Sequence, residues 1–411
     1  MKKILVTGNG FDIEHKLPTK YSDFISILNI IENMSDFTFE DLYSNIFPKD
    51  FDSIKSFDLD LERIKKISLI LINNVWYNHF KKVNESLTWI DFENEIESVL
   101  SIIYSFIEMF YNDLCPNGYF VDLYTTSDNL GRLLEDKLID RIVLINFNIY
   151  KGQKESGGNS YKFSLNTDFL DNNINPFYYT LNKDKISKYL LKELNQFRFI
   201  FNEYFECFVV PFYNTQNFKI NNDIKRSIDC HYTFNYTPTF QNLYKKDITS
   251  YVHGNIGDQF NFVLGINEVP NSINYKKSFI PFTKLFQKLN FSTDYKFLET
   301  DLKLGKLDND FYVFIWGHSL DSSDSEYIIE IFKLLEKEKN ERFNRKIIII
   351  VHDMNSKGKL LINLIEIIGA EKINNLMKNE ILDFVLNESN ELVQYLNKKG
   401  NNNSVLDVGV Y

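Results

Sequence analysis

The chain has 411 residues, of which 44% are hydrophobic and 25% charged, a composition typical of globular proteins. Its net charge of −10 argues against broad affinity for nucleic acid, because binding by counterion release requires a cationic surface. The three cysteines are too few for a disulfide framework, and no run of about twenty apolar residues predicts a membrane span. We therefore expect a cytoplasmic protein without a membrane partner, and the charge disfavours nucleic acid as a partner.

The chain begins with a short apolar strand and a glycine-rich turn, "KILVTGNGFDIEHK". Gly8 and Gly10 are separated by Asn9, and Asp12 follows them. Glycine has no Cβ, so this spacing indicates backbone that approaches a ligand closely, and a following helix N-terminus favours phosphate. The third glycine of the dinucleotide fingerprint is replaced by Ile13, so a plain strand-to-helix turn remains an equal alternative.

Residues 20–215 have mainly helical periodicity, as in "LERIKKISLILINNVWYNHFKKV" and "KYLLKELNQFRFIFNEYFECFVV". The run "RIVLINFNIY" at 141–150 is a candidate strand within this region. The acids of "WIDFENEIE" are expected to form a solvated helix face, although Glu93 could point into a site. His15, in "IEHK", is expected on a helix surface.

From about residue 228 the pattern changes to short β-rich runs: "DCHYTFNYT", "YVHGN", "FVLGIN", "FYVFIWGHS" and "KIIIIVHD". Helical patterns lie between several of them, which predicts an α/β fold with a parallel sheet. The opening strand is a short apolar run followed by small and polar residues, like these runs, so we assign it to the same sheet. We therefore predict a Rossmann-like nucleotide-binding domain from residues 1–19 and 216–411, with a mostly helical insertion at 20–215.

Five predicted strands end in polar residues, and the carboxyl ends of parallel strands meet at one edge of a sheet, where ligands bind. The residues are Gly8, Asn9, Gly10 and Asp12; Asn235 and Thr237; His253, Gly254 and Asn255; Gly317, His318 and Ser319, followed by Asp321 and Asp324; and His352 and Asp353. Each has a structural alternative: Asn235 suits a turn, His253 a strand end, and Ser319 or Asp321 a helix cap. Metal-ligand spacing is not evident, so we expect no metal.

The motifs "GNGFDIEHKLPTKYSDF", "TFNYT", "VHGN", "LGIN" and "GHSLDSSDSEYI" resemble the bacterial AbiH family, abortive-infection proteins of phage defence. "WIDFENEIE" resembles a Trp-x-Asp-x-Glu segment of the same family. The motifs lie toward both ends of the chain, so the resemblance covers most of it. It implies a role in arresting an infected cell, with a phage-derived trigger.

The order of these motifs is more distantly similar to sirtuin-like NAD-binding domains. That resemblance implies NAD as ligand or substrate, with Gly8, Asn9, Gly10 and Asp12 at the cofactor, Asn235 and His253 in catalysis, and Gly317, Ser319 and Asp324 at the far part of the cofactor. The sequence departs from the pattern at Asp12, where Ser is usual, and at Thr237, where an acid is usual.

Cleavage of the N-glycosidic bond in NAD requires orientation more than a strong nucleophile. Asn235 can orient a ribose hydroxyl or water, and His253 can accept a proton if its pKa lies near neutrality. Three functions stay open: an NAD-hydrolysing effector, a nucleotide-sensing module without turnover, and a nucleic-acid-acting toxin. The high content of Phe and Tyr is also consistent with self-association into a homo-oligomer.

Overall fold

The fold is taken from a computed structural model of the chain. It describes residues 1–34, 36–82, 89–114, 139–154, 161–172, 179–215, 218–269, 276–293, 297–298, 310–335 and 344–399.

A six-stranded, fully parallel sheet organises the two ends of the chain. Its strands are β1 (Lys2–Thr7), β2 (Cys230–Thr233), β3 (Thr249–Tyr251), β4 (Phe311–Trp316), β5 (Arg345–Val351) and β6 (Leu382–Leu386). Their spatial order is β6-β5-β4-β1-β2-β3, so the direction in which strands are added reverses between β1 and β4. The predicted α/β class with a parallel sheet is confirmed.

The pairing register brings the carboxyl ends of the strands level with one another. Thr7 of β1 pairs with Thr233 of β2 on one side and with Trp316 of β4 on the other. Farther out, Thr233 pairs with Tyr251 of β3, and Trp316 pairs with Ile350 of β5. The residues that follow these five strands therefore leave the sheet along one edge.

Most sheet residues are buried on both faces, as expected for a parallel sheet covered by helices. Ile4 and Val6 of β1 belong to the apolar core on one face, and Leu5 belongs to the core on the other. The first face packs against the helices Ser325–Lys333 and Met354–Ile368, and the second against Thr239–Tyr244 and Asn390–Asn397. The result is a sheet between two layers of helices.

The α-helices lie at Asn9–Glu14, Tyr21–Asn33, Phe39–Tyr43, Leu61–Leu71, Val75–Lys82, Trp89–Met109, Arg141–Asn146, Lys183–Tyr204, Asn222–Ser227, Thr239–Tyr244, Lys276–Phe279, Lys284–Asn290, Ser325–Lys333, Met354–Ile368, Ala370–Lys378 and Asn390–Asn397. Single π-turns extend two of them, at Phe110–Leu114 and Phe205–Val209. Short 3₁₀ turns occur at Phe51–Ser53, Thr167–Phe169, Val210–Asn214, Ile280–Phe282 and Ser322–Asp324. Two antiparallel pairs, Tyr150–Lys154 with Tyr161–Leu165 and Leu170–Asn172 with Tyr179–Leu181, lie outside the main sheet.

The described residues of the helical block, 20–215, contribute most of a third apolar core, which is rich in aromatic rings and also includes Phe262 and Phe282 from the segment after β3. Phe24 makes edge contacts with Phe197, Phe201 and Tyr204, at ring-centroid distances of 5.9, 5.4 and 4.9 Å. Edge-to-face pairs of this kind add stability beyond the apolar area that they bury. Much of the unusual aromatic content is therefore used inside the protein.

Two local predictions were wrong. Residues 141–150 begin with the helix Arg141–Asn146, whose first turn is capped by the Asp140 carboxylate accepting from Ile142 N–H, and only Tyr150 starts a strand. "FVLGIN" forms no strand and contributes only an isolated bridge between Ile266 and Thr283. No helix in the described ranges is long and apolar enough to cross a lipid bilayer.

Candidate functional site

A cavity of about 530 Å³ opens at the carboxyl edge of the sheet, beside the point where β1 and β4 are neighbours. The sequence-predicted residues on its wall are Gly8, Asn9, Gly10, Asp12, Asn235, Thr237, His253, Gly317, His318, Ser319, Asp324 and His352. Asp353 is an exposed helix cap that accepts from Ser356 N–H at 2.7 Å. The structure thus brings residues from five strand ends to one cavity.

The glycine turn is shaped by contact with another part of the backbone. A Cβ on Gly8 would lie 2.7 Å from the Cα of His318, and one on Gly10 would lie 2.8 Å from the Cα and O of Gly317. Gly317 itself has φ of +69°, and Gly10 N–H donates to its carbonyl at 2.8 Å. The glycine spacing, for which a ligand and a plain turn were equal alternatives, is therefore required by the crossing of two loops. The N–H of Gly10 is engaged there and does not point to a phosphate.

Asp12 is a buried carboxyl group on the cavity wall. One oxygen, Oδ2, accepts a short hydrogen bond from the Thr237 hydroxyl, and Thr239 Oγ1 in turn donates to Thr237 at 3.1 Å. The other oxygen, Oδ1, is buried and has no hydrogen-bond partner. Burial raises the pKa of Asp12 to about 7, against the lowering effect of the hydrogen bond from Thr237. This carboxyl group can therefore both give and take a proton near neutral pH.

Asn235 connects the turn after β2 to the turn after β1. Its Nδ2 donates to the carbonyl of Gly8 at 3.0 Å, and its backbone N–H donates to Thr233 Oγ1 at 3.0 Å. Asn235 is 7% exposed. Its position is therefore set by both neighbours, as a group that orients a bound molecule requires.

Asp324 lies between two buried histidines. Its Oδ1 is 3.0 Å from His253 Nε2, and its Oδ2 is 3.5 Å from His318 Nε2. Burial alone would raise the pKa of Asp324, but His253, His318 and Lys284 stabilise the anion and hold this pKa well below its usual range. Asp324 is thus ionised, accepts a hydrogen bond from His253 and lies in ion-pair contact with His318.

The hydrogen bond to Asp324 sets the tautomer of His253. Nε2 carries the proton, so Nδ1 is an acceptor; this atom is buried and has no hydrogen-bond partner. Burial lowers the pKa of His253 to about 4. The expected pKa near neutrality is therefore wrong: His253 is neutral at pH 7 and offers a lone pair as a weak base.

The helical block supplies a further carboxyl group, Glu93, to the cavity wall. Its Oε2 is 2.6 Å from the Nζ of Lys284, and the two side chains are 16% and 8% exposed. Nothing in the sequence marked Lys284, whereas Glu93 lies on the cavity wall, as the alternative to a solvated helix face anticipated. Sequence patterns could not predict this ion pair, because residues 93 and 284 are 191 positions apart in the chain.

The remaining predicted residues have mixed roles. Asn9 donates to Thr19 O at 2.9 Å, and Ser319 is exposed and accepts at its carbonyl from Asn363. Asp321 caps the turn Ser322–Asp324 by accepting from Ser323 N–H at 3.1 Å, as one alternative anticipated. His15 is buried, with Nδ1 2.7 Å from Phe11 O, so its predicted surface position is wrong. No cluster of His, Cys, Asp or Glu suited to a metal ion occurs among the residues that the structure describes.

The structure is thus that of an α/β protein, in which helices cover both faces of a parallel sheet and a cavity opens at the carboxyl edge of that sheet. The family model described as "Bacteriophage abortive infection AbiH" matches residues 4–344, most of the chain. The chain therefore belongs to the AbiH family, as the motifs predicted, and its role is in bacteriophage abortive infection. No curated protein and no solved structure matches it.

Proposed function

We propose that this protein binds NAD or a close relative in the cavity and hydrolyses its N-glycosidic bond, which would deplete the cofactor in an infected cell. One observation carries the proposal: Asp12, Asn235 and His253, from three different strand ends, line the same cavity. The proposed site is therefore made of a carboxyl group, an amide and a neutral imidazole.

The strand order supports a Rossmann-like sheet. Counted along the chain, the order is 3-2-1-4-5-6 when read from β3 to β6, which is the usual order of doubly wound dinucleotide-binding sheets. In such sheets the ligand lies where the strand order reverses. Here the reversal lies between β1 and β4, and both strands contribute to the cavity through Gly8 and Gly317.

Two departures from the sirtuin-like pattern compensate for one another. Asp12 stands where those domains have Ser, and Thr237 stands where they have an acid. The Thr237 hydroxyl donates to the Asp12 carboxylate, so a carboxyl–hydroxyl pair is retained with its members exchanged. This exchange supports retention of a ribose-binding function at the same place.

The acidic lining suits the charge that develops in the reaction. Leaving of nicotinamide places positive charge on the ribose ring, and fixed negative groups stabilise that charge in a water-excluded site. Asp324 is ionised, and the Asp12 carboxyl group titrates near pH 7. Oδ1 of Asp12 and Nδ1 of His253 are buried and have no hydrogen-bond partner. On binding, they would accept hydrogen bonds from ribose hydroxyls or from the attacking water.

The nucleotide-sensing alternative is favoured by one observation, the engagement of Gly10 N–H by Gly317, which leaves less backbone to bind phosphate. A nucleic-acid-acting toxin fits less well, since Asp12, Glu14, Glu93 and Asp324 all line the cavity. The phage-derived trigger, a homo-oligomer and the cytoplasmic location stay predictions.

The direct assay is release of nicotinamide from NAD by purified protein, with and without phage lysate. His253→Ala and Asn235→Ala should each lose about 10²-fold or more in kcat, roughly 3 kcal/mol of transition-state stabilisation, while remaining folded. Asn379→Ala, at an exposed helix end, is the matched control and should turn over like the wild type. Binding of NAD without release in either condition would favour the sensor, and no binding of any nucleotide would refute both.

A further inference from the structure

The cavity contains carboxyl groups from two separately built parts of the molecule. Asp12 belongs to the short helix Asn9–Glu14 that follows β1, whereas Glu93 belongs to the helix Trp89–Met109 of the helical block. The sheet alone therefore does not complete the wall of the site.

Hydrogen bonds hold the helical block against the segment that follows β3. Asn202 Oδ1 accepts a hydrogen bond from Gly257 N–H at 3.0 Å, and Nη2 of Arg198 donates one to Phe262 O. The adjacent Val263 N–H donates to His253 O at 2.9 Å, so this contact reaches the cavity histidine directly. These contacts fix the helix Lys183–Tyr204 of the helical block beside the strand end that carries His253.

The charges around Glu93 differ from those of a simple structural ion pair. It faces Lys284 and Lys288 on one helix and Asp324 on another element. Burial raises the pKa of Glu93 to about 7. Lys284 opposes this shift, and the negative charge of Asp324 adds to it. Although burial lowers the pKa of Lys284, Glu93 and Asp324 raise it above its ordinary value. The lysine thus stays charged while the carboxyl group can exchange a proton.

We infer that Glu93 is a second catalytic carboxyl group, supplied by the helical block, that acts with Asp12 on the same glycosidic bond. This inference rests on the proposed NAD hydrolysis. Enzymes that cleave glycosidic bonds commonly use two carboxyl groups, one beside the sugar cation and one that activates water. Asp12, buried beside Asn235, is placed for the first task, and Glu93, held by a lysine, for the second.

The step balances without any further reactant. The bond between C1′ of the ribose and the nicotinamide nitrogen breaks, and its electron pair stays with nicotinamide, which leaves as a neutral molecule. The oxygen of a water molecule bonds to C1′, and one proton of that water passes to the Glu93 carboxylate. The products are nicotinamide, ADP-ribose and, after release from Glu93, a proton.

The test is Glu93→Gln, which keeps the size of the side chain and removes its basicity. We expect kcat for nicotinamide release to fall about 10²-fold or more while KM for NAD changes little. Glu97→Gln, an exposed position on the same helix, is the matched control and should keep wild-type kinetics.

The double variant E93Q/K284M separates catalysis from charge balance. If Glu93 only neutralises Lys284, removal of both charges should restore the melting temperature and kcat together, and the inference is refuted. We expect the melting temperature to recover and kcat to remain low. If the wild type releases nicotinamide and the kcat of E93Q is within about threefold of the wild-type kcat, the catalytic role of Glu93 is refuted but the proposed hydrolysis is not. A wild type that releases none would refute the proposed hydrolysis and this role with it.

Discussion

Gly10→Ala is the substitution that best tests why the opening turn contains two glycines. If the glycine spacing made room for phosphates, a side chain at Gly10 would fill that space and abolish ligand binding. In the structure that space is occupied by protein. A Cβ on Gly10 would lie 2.8 Å from both the Cα and the O of Gly317 and 3.2 Å from its carbonyl carbon. The effect should therefore be on folding stability.

The size of the effect follows from these contacts. All three atoms are backbone, so no flexible side chain can turn away, and either the helix Asn9–Glu14 or the loop after β4 must move. Overpacking of this kind costs about 1–3 kcal/mol. Movement also weakens the hydrogen bond from Gly10 N–H to Gly317 O, now 2.8 Å long, which adds about 1 kcal/mol. The expected loss in the free energy of unfolding is about 2–4 kcal/mol.

Urea unfolding of the purified variants measures this loss, with Gly358→Ala as the control. Gly358 lies in the helix Met354–Ile368, and an added Cβ there would meet no atom within 4 Å. Alanine is favoured over glycine inside a helix, so this variant should gain about 0.5–1 kcal/mol. The same chemical change is thus predicted to have opposite signs at the two positions.

The reasoning would be refuted by a Gly10→Ala protein that unfolds like the wild type but no longer binds NAD in a thermal-shift assay. That outcome would mean that the loop after β4 yields easily and that a ligand, not Gly317, needs the space beside Gly10.

Two further predictions concern the buried acids. The pKa of Asp12 is about 7 in the folded protein, whereas its ordinary value is 3.8. Between these two pH values the folded state keeps a proton that the unfolded state has lost. The free energy of unfolding of the wild type should therefore fall as pH rises from about 4 to about 7. The fall due to Asp12 is roughly 4 kcal/mol, at 1.36 kcal/mol per pKa unit. Asp12→Asn should lack this fall. Curves of stability against pH that run parallel for the two proteins would contradict the raised pKa of Asp12. Asp324→Asn removes the anion shared by His253 and His318, so urea unfolding should show a loss of about 3–5 kcal/mol, whereas a change below about 1 kcal/mol would show that the two rings do not depend on it.

The sequence was informative where the physical cause is local. The apolar runs of β1, β4 and β5 predicted buried strands, because a parallel sheet covered on both faces needs apolar side chains at nearly every position. Polar residues directly after such runs predicted one shared edge, since parallel strands end on the same side. β6 escaped notice because it is a short edge strand whose pattern is interrupted by Asp383 and the exposed Leu386.

Predictions that depended on a distant partner were less successful. His15 has the sequence context of a surface helix residue, but Tyr244 and Trp316 cover it from elements far along the chain. The strand predicted at 141–150 was wrong because Asp140 caps a helix and the same apolar run suits either structure.

By itself, then, the sequence determined the parallel α/β sheet, the family and the convergence of strand-end polar residues, since these depend on residue order and periodicity. Only the tertiary structure decided what each residue faces. It showed that Gly8 and Gly10 make room for Gly317, that Asp324 fixes the tautomer of His253, and that Glu93 from the helical block meets Lys284 at the cavity. The physical reason is that steric gaps, desolvation and buried ion pairs depend on atoms brought together from distant parts of the chain, and local sequence patterns do not record those distances.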